Sequence, residues 1–126
     1  MVQVEIGQLT GECNSWRETL RQFRDEFSQD KIKLQKAASG TLSREQLQDV
    51  EHLHNQFHIQ LINIHDLKQA IKTHERRINF EIAANHGQLH EETVAEHERL
   101  FDQYQHLDHT LVELREEFEQ FLKRMQ

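Results

Sequence analysis

Apolar residues recur along the chain at alternating spacings of three and four, in three long runs that two short breaks separate. The first run contains one polar residue, Asp30, and the other two runs are of similar length. Such spacing places side chains on one face of a helix, and its regular heptad form is typical of coiled coils. The pattern predicts three long amphipathic helices, at about residues 3–38, 44–84 and 89–125.

The two breaks carry the signals that end one helix and begin the next. Gly40 and Gly87 are each expected to adopt the left-handed conformation that often terminates a helix. Ser43 and Gln46 have the spacing of a capping box at the start of the second helix. Short connections between helices of similar length favour antiparallel neighbours. We therefore predict an all-α, antiparallel three-helix bundle of coiled-coil character, forming one domain over residues 1–126.

The start of the first helix has two interpretations. Ser15 and Glu18 form a second capping-box pattern, and Gly7 and Gly11 weaken the turns before it. The heptad spacing nevertheless continues through Ser15 without interruption. This continuity favours a start near residue 3.

Polar residues occupy several inward-facing positions of the second helix in this heptad phase. The series that contains its apolar residues also contains His54, Lys68 and Glu75. If both connections are tight, counting outward from the two glycines puts Phe27 level with His54, and Cys13 level with Lys68. The polar core positions are thus predicted to collect at the end of the bundle that contains the second hairpin.

Composition and charge narrow the classes of function. The chain has 126 residues, no proline and a net charge of −7, which argues against nucleic acid or an anionic membrane surface as a partner. No apolar stretch approaches the roughly 20 residues of a membrane span, and no signal peptide is recognisable at the N-terminus. A single cysteine excludes an internal disulfide and fits a reducing compartment. A cytoplasmic location is therefore expected.

Ten histidines invite the hypothesis of a metal site. The best candidates are Glu75 and His97, with His74 and His90 nearby at the second hairpin. The set offers His97 only one carboxylate at the same level and does not share one helical face, whereas a ligand set converges on one point. The sequence therefore predicts no bound metal and no cofactor. A metal-binding or metal-sensing bundle that uses this cluster remains the alternative.

No catalytic arrangement is recognisable. Cys13 lies in the seam of the first helix, where a buried thiol is usually unreactive. There is no glycine-rich phosphate loop, and no small-molecule substrate is evident. We expect the protein not to be an enzyme.

Several apolar residues fall outside the seam and are candidates for an interaction surface. A contiguous exposed apolar patch is typical of a protein–protein interface. The candidates are Ile59 and Ile62 on one face of the second helix, and Val4, Phe80 and Leu89 near the second hairpin. The favoured function is a non-catalytic interaction or structural module with a protein partner or a second copy as its ligand.

Overall fold

The computed structural model describes residues 1–125 and consists of three α-helices. The helices are α1 (Ile6–Ala37), α2 (Arg44–Ala84) and α3 (Glu91–Met125). They make the chain 86% helical, and each helix packs against both of the others. The predicted all-α three-helix bundle is confirmed. Within residues 1–125, no helix combines the length and the apolar character needed to cross a membrane.

Consecutive helices run in opposite directions, as their contacts show. Arg17 of α1 bonds to Glu75 of α2, whereas Phe27 of α1 packs against Phe57 of α2. Residue numbers therefore rise along α1 while they fall along α2. The contacts between α2 and α3 follow the same order.

Two of the helices begin slightly later than predicted. The backbone N–H of Val2 donates to the carbonyl of Leu89 at 2.6 Å, and the N–H of Leu89 donates to the carbonyl of Val2 at 3.0 Å. These groups pair with each other rather than with a helical turn, so α1 starts at Ile6 and α3 at Glu91. The alternative start at Ser15 is wrong, because α1 runs through that residue without a break.

The first connection combines a confirmed and a wrong prediction. The capping box is present: Ser43 Oγ accepts from the N–H of Gln46 at 3.1 Å, and the N–H of Ser43 donates to Gln46 Oε1 at 2.9 Å. Gly40, however, has no positive φ. The hydroxyl of Ser39 donates to the carbonyl of Lys36 at 2.7 Å. Because that carbonyl of the last turn is already satisfied, α1 needs no left-handed residue to end.

The second connection has the expected left-handed ending. Gly87 has a φ of 83° and its N–H donates to the carbonyl of Ile82 at 3.0 Å. His86 before it also has a positive φ, of 53°. The prediction of a left-handed residue at Gly87 is confirmed. Glycine adopts this conformation without steric cost.

In α2, every second inward-facing residue is one position earlier in the chain than predicted. His54 is exposed, and Lys68 and Glu75 are only partly buried, so the prediction that these three face inward is wrong. Both phases satisfy the spacing rule. The observed one buries Leu53 and Leu67 but leaves Leu61 and Ile82 only partly buried, so packing against α1 and α3 decides between them. The buried residues of α2 are Leu53, Phe57, Gln60, Ile64, Leu67, Ile71, His74, Ile78 and Glu81.

An aromatic layer fills the half of the bundle near the first hairpin. The ring of Phe57 lies 5.5 Å from that of Phe27 and 5.1 Å from that of Phe118 between centroids. Phe27 is therefore level with Phe57 and not with His54, so α2 is displaced by about one turn from the predicted register.

Asp30, the polar residue in the seam of α1, is buried beside a cation. Its Oδ2 lies 3.2 Å from Nε of Arg115 on α3. Burial raises the pKa of Asp30, and the charge of Arg115 opposes that rise. The pair accounts for the one interruption in the apolar series of α1.

Candidate metal centre

Cys13, His74 and His97 meet in the core at the half of the bundle near the second hairpin, and each comes from a different helix. His74 Nε2 lies 3.0 Å from His97 Nδ1, and Cys13 Sγ lies 3.9 Å from the same nitrogen. One donor atom from each residue lies within 4.8 Å of the others. The three residues are 0%, 3% and 5% exposed, so the cluster is closed to solvent.

The positions of these side chains follow from the heptad spacing of each helix. Residues one turn away along the same helices are buried and apolar: Trp16 after Cys13, Ile71 and Ile78 on either side of His74, and Leu100 after His97. The indole ring of Trp16 also lies over the imidazole of His97, with centroids 4.8 Å apart. The buried neighbours of the cluster are thus mostly apolar, with Thr93 before His97 as the polar exception.

Burial keeps the cluster uncharged. It lowers the pKa of His74 to about 4, assisted by the neighbouring His97, and it also lowers the pKa of His97. Burial, together with the charges of Glu75 and Glu12, raises the pKa of the Cys13 thiol to about 12. At neutral pH the two imidazoles are therefore neutral, which is the form that binds metal ions.

The spacing of the three donor atoms resembles that of metal ligands. Bonds of about 2.0 Å to nitrogen and about 2.3 Å to sulfur, at tetrahedral angles, place ligand atoms about 3.3–3.6 Å apart. Two of the three observed separations, 3.0 and 3.9 Å, depart from those values by less than half an ångström, and all three are within 4.8 Å.

The outer nitrogens of both rings lack hydrogen-bond partners within residues 1–125. They are His74 Nδ1 and His97 Nε2, and both are buried. Glu12 Oε1 lies 3.7 Å from His97 Nε2, just beyond hydrogen-bond distance. Metal-bound histidines commonly donate their second N–H to a carboxylate in this position.

Of the residues that the sequence suggested as ligands, the structure brings together His74 and His97. Glu75 lies outside the cluster, where Arg17 Nε donates to its Oε1 at 2.5 Å. The side chain of His90 is exposed before the first turn of α3. Neither Glu75 nor His90 reaches the core. The inner face of α2 is shifted by one residue from the prediction, and His90 comes just before the first residue of α3.

Sequence reasoning missed Cys13 as a member of the cluster. It placed Cys13 correctly in the seam, but it set Lys68 opposite. The signal that could have found the cluster is the alternative phase of α2 through Leu53 and Leu67, which turns His74 inward.

Glu81 is a second buried polar group, but all its interactions are structural. Its Oε1 accepts from the N–H of His90 at 2.9 Å, and its Oε2 accepts from Thr93 Oγ1 at 2.6 Å and from Arg77 Nε at 2.8 Å. This carboxylate therefore caps α3 and has little capacity left for an ion.

The candidate surface residues divide into two groups. Ile59, Ile62 and Phe80 are exposed, at 45%, 47% and 72%. Val4 is partly buried, and Leu89 is fully buried. The prediction that Leu89 lies on the surface is wrong: its backbone pairs with that of Val2, and its side chain is 0% exposed.

Comparisons with protein-family models, with curated proteins and with solved structures find no match to this chain. Fold and site together therefore define the class: a three-helix bundle with a buried cluster of one cysteine and two histidines.

Proposed function

We propose that this protein binds a transition-metal ion in the core of the bundle, with Cys13, His74 and His97 as ligands. The observation that supports it is the convergence of three nitrogen and sulfur donors, one from each helix, within 4.8 Å. Thiolate and imidazole are the ligands that zinc and copper prefer. Because the ligands come from three helices, an ion would link all of them, and its binding energy would stabilise the fold.

The ligand set differs from the one that the sequence suggested, and the difference favours binding. The sequence offered His97 a single carboxylate, Glu75. The fold instead offers it a thiol and a second imidazole, and it leaves Glu75 paired with Arg17. The proposed role is binding without catalysis, in a reducing compartment such as the cytoplasm that would keep Cys13 free of oxidation.

The test is the melting temperature with and without metal. We expect added Zn²⁺, or Cu⁺ supplied without oxygen, to raise Tm. At about 100 times Kd, an ion stabilises the folded state by about 2.7 kcal/mol, which corresponds to roughly 10 °C for a chain of this length. The rise should disappear in Cys13→Ser and His97→Gln and should persist in His90→Ala, which removes an exposed histidine. If neither ion raises Tm, or if Cys13→Ser retains the whole rise, the proposal is wrong.

A protein-interaction role is the second candidate, and the exposure of Ile59, Ile62 and Phe80 favours it. Ile59 and Ile62 are about one turn apart on α2, and Phe80 lies further along the same helix. The occupant we propose is a second copy of this chain. Light scattering should then give the mass of a dimer, and Ile59→Glu should convert it to a monomer. A monomeric wild type at high micromolar concentration would exclude this candidate.

A further inference from the structure

We infer that the ion selected by this site is monovalent copper, held in three-coordinate geometry by the Cys13 thiolate and the imidazoles of His74 and His97. The inference rests on the proposed function and adds the identity and coordination of the ion. Three observations support it: the number of donors, the charge of the site and the nature of the ligands.

The number of donors is three. Within residues 1–125, the cluster contains no fourth histidine, cysteine or carboxylate. Glu12 lies on the far side of the His97 ring, and Glu75 is engaged by Arg17. Zinc prefers four ligands and fills an open position with water. A site whose three donors are at most 5% exposed leaves little room for that water, whereas monovalent copper is stable with three ligands.

The charge of the occupied site also separates the two ions. When the ion binds, the S–H bond of Cys13 breaks, the proton leaves to solvent and a metal–sulfur bond forms. Monovalent copper with one thiolate and two neutral imidazoles then has no net charge, whereas divalent zinc leaves a net positive charge. A buried net charge is costly in an apolar core. Glu12 compensates it only in part, because its side chain is 35% exposed.

The nature of the ligands points in the same direction. A thiolate is a soft, polarisable donor, and soft donors favour monovalent copper. Hard oxygen ligands, which would favour other ions, are engaged elsewhere at this end of the bundle, in the cap formed by Glu81 and in the ion pair of Glu75. The ring of Trp16 lies beside His97 and helps to close the site to solvent.

The experiment is a competition for each ion against a chromophoric chelator, performed without oxygen on the full chain. Cu⁺ is titrated against bicinchoninate and Zn²⁺ against a zinc-binding dye. We expect one Cu⁺ per chain, bound at a free concentration at least about 100-fold below that required for Zn²⁺. The X-ray absorption spectrum of the copper complex should show three ligands, one sulfur and two nitrogens.

Variants separate this site from exposed histidines. Cys13→Ser keeps the volume and should lose the tight copper and its sulfur ligand, whereas His90→Ala should keep both. Circular dichroism identifies a variant that fails to fold, in which case His97→Gln replaces it. Zinc binding as tight as copper binding, or a four-coordinate spectrum, overturns the inference and leaves the proposed function intact. If neither ion binds the wild type, the proposed function itself fails.

Discussion

Glu12 is the carboxylate closest to the outer nitrogen of His97, with Oε1 3.7 Å from Nε2. A carboxylate that accepts a hydrogen bond from this nitrogen fixes the proton there and leaves the lone pair of Nδ1 free. Nδ1 is the atom that faces Cys13 and His74. At the scale of single residues, we therefore expect Glu12 to move to hydrogen-bond distance when an ion binds and to act as a positioning residue, not as a ligand.

Replacing Glu12 tests this role. Glu12→Ala should weaken copper binding by roughly 10–100-fold, because an outer partner of a metal-bound histidine typically contributes that factor. Glu12→Gln, whose amide oxygen still accepts a hydrogen bond, should restore most of the affinity. Chelator competition measures both, and the Tm of the metal-free protein should be unchanged. Glu18→Ala, on the exposed face of α1, is the control. Equal affinities for wild type and Glu12→Ala would exclude a positioning role.

At the scale of elements, the start of α3 depends on a side chain from α2. Glu81 accepts hydrogen bonds from the N–H of His90, from Thr93 and from Arg77, and Arg77 also approaches Glu92 at 3.8 Å. Burial alone would raise the pKa of Glu81, but these hydrogen bonds outweigh it and lower the pKa to about 2. These hydrogen bonds therefore connect the start of α3 to α2.

This cap predicts a dependence of stability on pH. The usual pKa of a glutamate is about 4.5, so the contribution of Glu81 is fully present above that pH and is lost as the pH falls toward 2. Glu81→Gln should lower the free energy of unfolding by roughly 3 kcal/mol at pH 7, and the difference should shrink below pH 4.5. Urea denaturation from pH 7 to acid measures it, with the exposed Glu91→Gln as control. A difference independent of pH would contradict the charged cap.

At the scale of the whole molecule, the core has two chemically different halves. The half near the first hairpin contains the aromatic layer of Phe27, Phe57 and Phe118. The half near the second hairpin contains Cys13 and its two histidines. Aromatic packing thus dominates one half, which also contains the buried pair of Asp30 and Arg115, whereas the other half has polar donors that an ion could bind.

Two phenylalanines on the same helix provide a matched test of this core. Phe57 is fully buried and Phe80 is mostly exposed. Phe57→Ala should cost about 3–5 kcal/mol, because it removes a large buried side chain and leaves a cavity. Phe80→Ala should change stability by less than about 0.5 kcal/mol in the monomer. Urea denaturation of both variants compares them, and equal losses would contradict the burial of Phe57 and the exposure of Phe80.

The sequence alone determined the number of helices, their ends to within three residues, the capping box at Ser43 and the left-handed turn at Gly87. These features depend on interactions between residues at most a few positions apart, and such interactions can be read from spacing and residue type. The sequence also placed His74 and His97 near the second hairpin, but it did not show that they meet Cys13 in the core.

Only the tertiary structure decided which side of α2 faces inward. The two possible phases share Phe57, Ile64, Ile71 and Ile78, so the spacing of apolar residues fits both. The choice depends on what α1 and α3 present across the core, which is a property of packing and not of local sequence. The shift by one residue turns His74 toward Cys13 and His97, and it leaves Glu75 on the flank of the helix, paired with Arg17. The candidate site therefore changes from an incomplete set around one carboxylate to three convergent metal donors.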